Sequence, residues 1–172
     1  SSEDNLNIGM RHISLSTCGI INKIYDLANE NLQLTLSVSL HAPNDSIRNT
    51  LMPINKNFNV DELLKACKFY IIKTKRRISF EYAMISDIND SDDCAIELAR
   101  KLSGMLCHVN LIPVNNIGVE KIFYEKSNQK RLEKFMNILS KYGINATVRR
   151  TLGADINASC GQLRRKATDL EV

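Results

Sequence analysis

The segment LTLSVSL, residues 34–40, constrains the fold more than any other stretch. In an extended chain Leu34, Leu36, Val38 and Leu40 fall on one side, and Thr35, Ser37 and Ser39 on the other. That period of two is the mark of a strand with two unlike faces. A parallel strand covered by helices on both faces is usually apolar throughout. Leucines on one side and hydroxyls on the other therefore predict a sheet with helices on one face and a polar hollow on the other. The polar row runs on into His41.

Four more segments read as strands: HISLST (12–17), ISFEYAMI (78–85), CHVNLIPV (107–114) and, shorter, NATVRR (145–150). Helix patterns lie between them. Asn59 with Glu62 forms a capping box ahead of an apolar face of Val60, Leu63, Leu64, Cys67 and Ile71. Ser91 opens a helix with Ala95, Leu98, Ala99 and Leu102 inward. Ser127 precedes another with Leu132, Phe135, Met136 and Leu139 inward, stopped at Gly143. Strand–helix–strand alternation predicts an α/β fold of parallel strands with right-handed crossovers. An open doubly wound sheet and part of a barrel both fit, and the polar row favours the barrel. In either, functional groups gather at the carboxyl ends of the strands. Those ends carry Ser16, Thr17, Ser39, His41 and Asn115.

A chain of 172 residues makes one domain or a piece of a larger one, and 44% hydrophobic residues suffice for a core. No apolar run approaches the length of a membrane span, and SSEDNLNIGM lacks the basic-then-apolar pattern of a signal peptide. The start on Ser-Ser, without Met, suggests a piece cut from a longer protein. Five cysteines, an odd number without short pairs, fit neither a disulfide framework nor a zinc ribbon and suggest a reducing cytoplasm. The formal net charge is +4, and the run from Lys141 to Lys166 holds six basic residues against one acid, Asp155. Such a segment suits a polyanion such as RNA, or is simply a solvated face.

Among candidate reactive groups, Cys67, Cys94 and Cys107 sit in apolar patterns and read as packing residues. Cys18 lies at a strand end beside Gly19. Cys160 differs: in DINASCGQLRRK its neighbours are small, and three cations follow closely. Cations raise the thiolate fraction of a thiol, and small neighbours admit another molecule, so Cys160 is a candidate nucleophile. His41 is either a ligand contact or a structural histidine. Glu81, a carboxylate in an apolar strand, is either an edge or ion-paired residue or a contact to a ligand's hydroxyl or amine. His12 and His108 are expected to take no part in chemistry.

The segments LSTCG (15–19), SVSLHAPND (37–45), LMPINK (51–56), FEYAMI (80–85), HVNLIPVN (108–115), TVRR (147–150) and DINASCGQL (155–163), in this order, closely resemble the C-terminal part of the RlmN-type radical S-adenosylmethionine (SAM) methyltransferases. The resemblance spans nearly the whole chain. It implies methylation of adenine C2 in 23S rRNA and tRNA by a cytoplasmic enzyme that draws on SAM, a [4Fe-4S] cluster and an electron donor. It implies SAM contacts at Ser16, Ser39, Leu40, His41 and Asn115. Cys160 would carry the methyl group as S-methylcysteine, a radical made from a second SAM would activate that methyl, and a second cysteine would resolve the protein–RNA adduct. The Cfr-type relatives, which modify adenine C8, usually differ after Ser-Leu-His, so Ala-Pro-Asn-Asp favours C2. A non-catalytic RNA-binding module is the third reading.

Where the sequence departs from the family, it does so informatively. It lacks the CxxxCxxC cluster motif, the Gly-Glu segment for the SAM amino group and the resolving cysteine, so no metal ligand is assigned here. Asn116 follows LIPVN where proline is common. The expectation is a partial barrel of about the last four of six strands plus the short strand, inactive alone, with an exposed edge along His12–Thr17 open to self-association.

Overall fold

The structure is a computed structural model, and it describes residues 9–114 and 124–149. The strands β1 (Ser14–Thr17), β2 (Thr35–Ser39), β3 (Ile78–Met84), β4 (Cys107–Pro113) and β5 (Ala146–Val148) form one parallel sheet in the spatial order β1-β2-β3-β4-β5. A doubly wound sheet reverses its strand order at a switch point. This sheet does not, so successive crossovers place their helices on the same face. Ile24 of α1 (Ile21–Asn29), Leu63 of α3 (Val60–Thr74), Leu98 of α4 (Asp92–Leu102) and Phe135 of α5 (Gln129–Lys141) join Leu36, Phe80 and Leu111 in a single buried cluster. The remaining helix, α2 (Asp45–Leu51), follows β2 directly.

The expected alternation is present. On β3 the residues Ile78, Phe80, Tyr82 and Met84 are buried under the helices, whereas Ser79, Glu81 and Ala83 are half-buried on the other face. On β4 Cys107, Val109, Leu111 and Pro113 alternate in the same way with His108, Asn110 and Ile112. Each fully buried large apolar side chain contributes about 2 kcal/mol. The face away from the helices is the polar one.

Local rules explain most element ends. Asn59 accepts from the Glu62 amide, completing the expected capping box of α3, and Ser91 accepts from the Cys94 amide at the start of α4. Ser127 precedes α5, as expected, and the N-cap itself is Asn128, whose side chain accepts from the Arg131 amide. Ser127 is instead buried and donates its hydroxyl to Asp90 at 2.8 Å. At the edge, β1 is shorter than expected because Met10–His12 forms a 3-10 turn. Leu15 is in register with the fully buried Leu36 yet is 39% exposed, because β1 pairs with β2 alone among the described residues.

Candidate functional site: a polar hollow at the strand ends

Strand register assembles the polar residues into rows. Ser16, Ser37, Ser79 and His108 are aligned across four strands, and Ser39, Glu81, Asn110 and Thr147 form the next row toward the carboxyl ends. Ser14 and Ser37 share a hydrogen bond of 3.1 Å between their hydroxyls. His108 Nε2 and Thr147 Oγ1 lie 2.9 Å apart. At the centre, Glu81 accepts from the Ser79 hydroxyl at 3.1 Å and from Asn110 Nδ2 at 2.8 Å. Glu81 is thus neither an edge residue nor ion-paired: no cation bridges it among the described residues. A carboxylate held by two neutral donors on an inward face keeps lone pairs for a ligand's hydroxyl or ammonium group.

The rim of the hollow is built around a residue that sequence reasoning did not single out. Arg48 of α2 is fully buried. Its Nε donates to the Leu40 carbonyl at 3.0 Å, and Nη2 donates to the carbonyls of Cys18 at 2.8 Å and Ser39 at 3.0 Å. Nη1 donates to Asn55 Oδ1 at 2.9 Å, and Asn55 in turn donates to Asp45 Oδ1 at 2.9 Å. The guanidinium therefore ties together the carboxyl ends of β1 and β2, with its nearest carboxylate one side chain away. Burial lowers its pKa, and Cys18, Asp45 and Cys67 act in the opposite direction. Gly19 lets the chain pass beneath it. Its φ is +106°, and a Cβ there would meet Leu63 Cδ2 at 3.1 Å and Arg48 Nη2 at 3.2 Å.

His41 stands at the same rim in a left-handed conformation, φ 58°, which histidine tolerates better than bulky residues do. Its Nδ1 accepts the Ala83 amide at 3.0 Å, so in the neutral ring Nε2 carries the proton and is the donor. The fully buried Asn89 fixes this arrangement. It donates to the carbonyls of His41 at 2.7 Å and Ala83 at 2.6 Å, while its Oδ1 accepts the Ile85 amide at 2.8 Å.

Burial, and secondarily the nearby Arg48 charge, lowers the His41 pKa to about 4. The unfolded chain therefore takes up a proton at this residue near its ordinary value of 6.5 while the folded chain does not. Stability from His41 is complete above that value and is lost as pH falls from about 6.5 toward 4. Urea titrations across this window are expected to show a steeper loss in the parent than in His41→Asn. Equal pH slopes would contradict the assignment.

The site residues expected from sequence divide three ways. Ser16 and Ser39 lie on the hollow face, and His41 lies at its rim. Leu40 has a fully buried side chain, its amide donates to the Glu81 carbonyl at 3.0 Å, and its own carbonyl serves Arg48. Asn115 and Cys160 lie outside the described residues. Burial drives the thiol pKa of Cys67 up to about 12 and that of Cys107 up to about 11, and it also raises that of Cys94. These three are packing residues, as expected, whereas Cys18 is exposed at the end of β1. Among the described residues no group of three His, Cys, Asp or Glu side chains could hold a metal ion. No helix among them is long and apolar enough to cross a membrane.

Comparison with known proteins accounts for this geometry. No family model matches the chain. It is 60% identical over 166 residues to a probable dual-specificity RNA methyltransferase RlmN of Clostridium tetani, and 56% identical over 165 residues to one of Clostridium botulinum. Each alignment covers 96% of this chain and 47% of the relative, so the chain spans about half the length of the curated relatives it matches. Among solved structures, a radical SAM methyltransferase from Sphaerobacter thermophilus superposes with a TM-score of 0.89 at 46% identity. That match covers 94% of this chain and 47% of the other. A domain of a pyruvate-formate lyase-activating enzyme from Bacteroides vulgatus, 15% identical with a TM-score of 0.60 and 80% of each chain covered, shares the fold alone. The parallel sheet, the polar strand ends and the ordered motifs agree with these matches: over nearly its whole length the chain is similar to about half of an RlmN-type radical SAM methyltransferase.

Proposed function

We propose that this chain supplies the ligand-binding half-barrel and the methyl-carrying cysteine of an enzyme that methylates adenine C2 in 23S rRNA and tRNA. The observation that carries the proposal is the row Ser39, Glu81, Asn110 and Thr147 at the carboxyl ends of the strands, with Glu81 lacking a cation among the described residues. Hydroxyls, an unneutralised carboxylate and an Nε2 donor suit the ammonium, carboxylate and ribose hydroxyls of SAM. When bound, SAM supplies the transferable methyl group.

In this reading Ser16 and Ser39 offer hydroxyls, His41 offers its Nε2 proton, Glu81 accepts from the ligand, and Leu40 holds the backbone between them. Asn115 is assigned to the same set because in sequence it follows the last residue of β4, Pro113, by two positions. Cys160 carries the methyl group, its thiolate favoured by Arg164, Arg165 and Lys166. The described residues offer no cluster of metal ligands, so the [4Fe-4S] group and the electron donor are assigned to contacts beyond them. A cytoplasmic location follows from that RNA chemistry, and the open β1 edge is the surface for the proposed self-association.

The C2 reading is preferred to C8 because the sequence after His41 is Ala-Pro-Asn-Asp, and because the two curated relatives described above both carry the RlmN name. Calorimetric titration with SAM tests the site. Glu81→Gln is expected to weaken binding about tenfold, roughly 1.4 kcal/mol, while leaving thermal stability close to that of the parent. Parental affinity in that variant would remove Glu81 from the site.

A further inference from the structure

The outer face of α3 carries charge that neither the hollow nor the fold requires. Between Lys65 and Arg77 lie six basic residues (Lys65, Lys68, Lys73, Lys75, Arg76 and Arg77) and no acidic one. The inward face of the helix is Val60, Leu63, Leu64, Ala66, Cys67 and Tyr70. Lys65, Lys68 and Lys73 lie on the opposite side and are exposed, as are Lys75 and Arg77 just beyond the helix. Among the described residues none of the six forms a salt bridge.

The helix dipole rewards cations only in the last turn, which accounts for Lys73 but not for Lys65 or Lys68, nor for the residues past the end. At 1.5 Å per residue, Lys65 to Lys75 extends about 15 Å, a length over which even a DNA duplex carries roughly nine phosphates on its two strands, so several lie within reach of one row of cations. Phe69, 39% exposed, lies within the row with its ring 5.0 Å from that of Tyr25, so an aromatic surface is interleaved with the lysines.

We infer that the outer face of α3, continued through Lys75–Arg77, is a docking strip for the phosphate backbone of RNA outside the reacting nucleotide. The partner's identity rests on the RNA reading proposed above; the strip rests on the unpaired charge. Because α3 leads into the amino end of β3, the strip runs down the side of the half-barrel, away from the strand ends that hold the hollow. It contributes affinity and orientation to a large RNA and takes no part in the chemistry.

Fluorescence anisotropy with a labelled RNA duplex tests this on the chain itself. The comparison is between the parent, the triple variant Lys65→Gln/Lys68→Gln/Lys73→Gln, and the tail variant Arg164→Gln/Arg165→Gln. The triple variant, unchanged in its thermal melt, is expected to bind about tenfold more weakly and to show a log–log salt dependence shallower by about 2.7. Parental affinity and slope in the triple variant, with the loss confined to the tail variant, would overturn the strip and leave the RNA reading intact. A polyglutamate peptide binding the strip more tightly than the duplex would overturn it in favour of an acidic protein partner. If the parent binds no RNA duplex or hairpin, the RNA reading itself fails, and the strip's partner with it.

Discussion

Arg48→Ala is expected to lower stability by about 4 kcal/mol or more, a large share of what a domain of this size possesses. The truncation strands four acceptors at once: the carbonyls of Cys18, Ser39 and Leu40 and the amide oxygen of Asn55. It also removes a buried cation, and that relief works the other way. Replacing an entire buried ionic network with apolar groups can be neutral, but removing one member while its partners remain typically costs 3–5 kcal/mol. The backbone carbonyls cannot be removed, so the second case applies here. Arg48→Met, which refills the volume without the donors, separates packing from hydrogen bonding and is expected to recover less than half of the loss. Arg48→Lys, with its single ammonium, cannot reach all four acceptors and is expected to fall between the two. Urea unfolding of the three variants measures this, and a loss under about 1 kcal/mol in Arg48→Ala would show that the clamp is not structural.

The clamp also links stability to the site. The guanidinium fixes the carbonyls on both sides of the Ser39–Leu40 peptide as well as that of Cys18. Ser39, His41 and the turn at Gly19 are thereby held in position by one side chain. Partial rescue of stability by Arg48→Met should leave SAM affinity reduced, because the ends of β1 and β2 would no longer be tied together.

The strand pattern alone exposed most of the architecture. The alternation of Leu34–Leu40 separated the helix side from the hollow side, whereas for Glu81 the sequence left an edge or ion-paired position and a ligand contact both open, and strand register decided between them. Asn59 and Ser91 were legible as caps because their partners lie three residues away. At α5 the sequence did not show which of Ser127 and Asn128 is the cap: Asn128 is, because Ser127 is occupied by Asp90, 37 residues distant. Helix α1 was not anticipated; it spans nine residues, too few for a periodic pattern to stand out.

Arg48 and Asn89 were missed on different grounds. Sequence patterns mark arginine and asparagine as surface or turn residues, and nothing local reveals that their partners are backbone carbonyls on other strands and loops. The Glu81–Asn110 pair joins residues 29 apart and depends on strand register, which the sequence does not display. Asn115 and Cys160 rest on the ordered motifs and on their sequence surroundings.

Cys160→Ala carries the largest expected effect on activity. A residue that must accept and hand on a methyl group has no substitute in a methyl side chain, so transfer should fall about a thousandfold or more while SAM binding in the hollow persists. Loss of both together would instead indicate a folding defect.

The central claim is that this half-barrel and its cysteine belong to an RNA adenine-C2 methyltransferase. Its most direct test is to incubate the full-length protein with methyl-labelled SAM and rRNA and tRNA, then digest the RNA and locate the label by mass spectrometry. The label is expected on C2 of adenosine, and it should be absent with Cys160→Ala. Label on C8, or undiminished C2 labelling in that variant, would contradict the account.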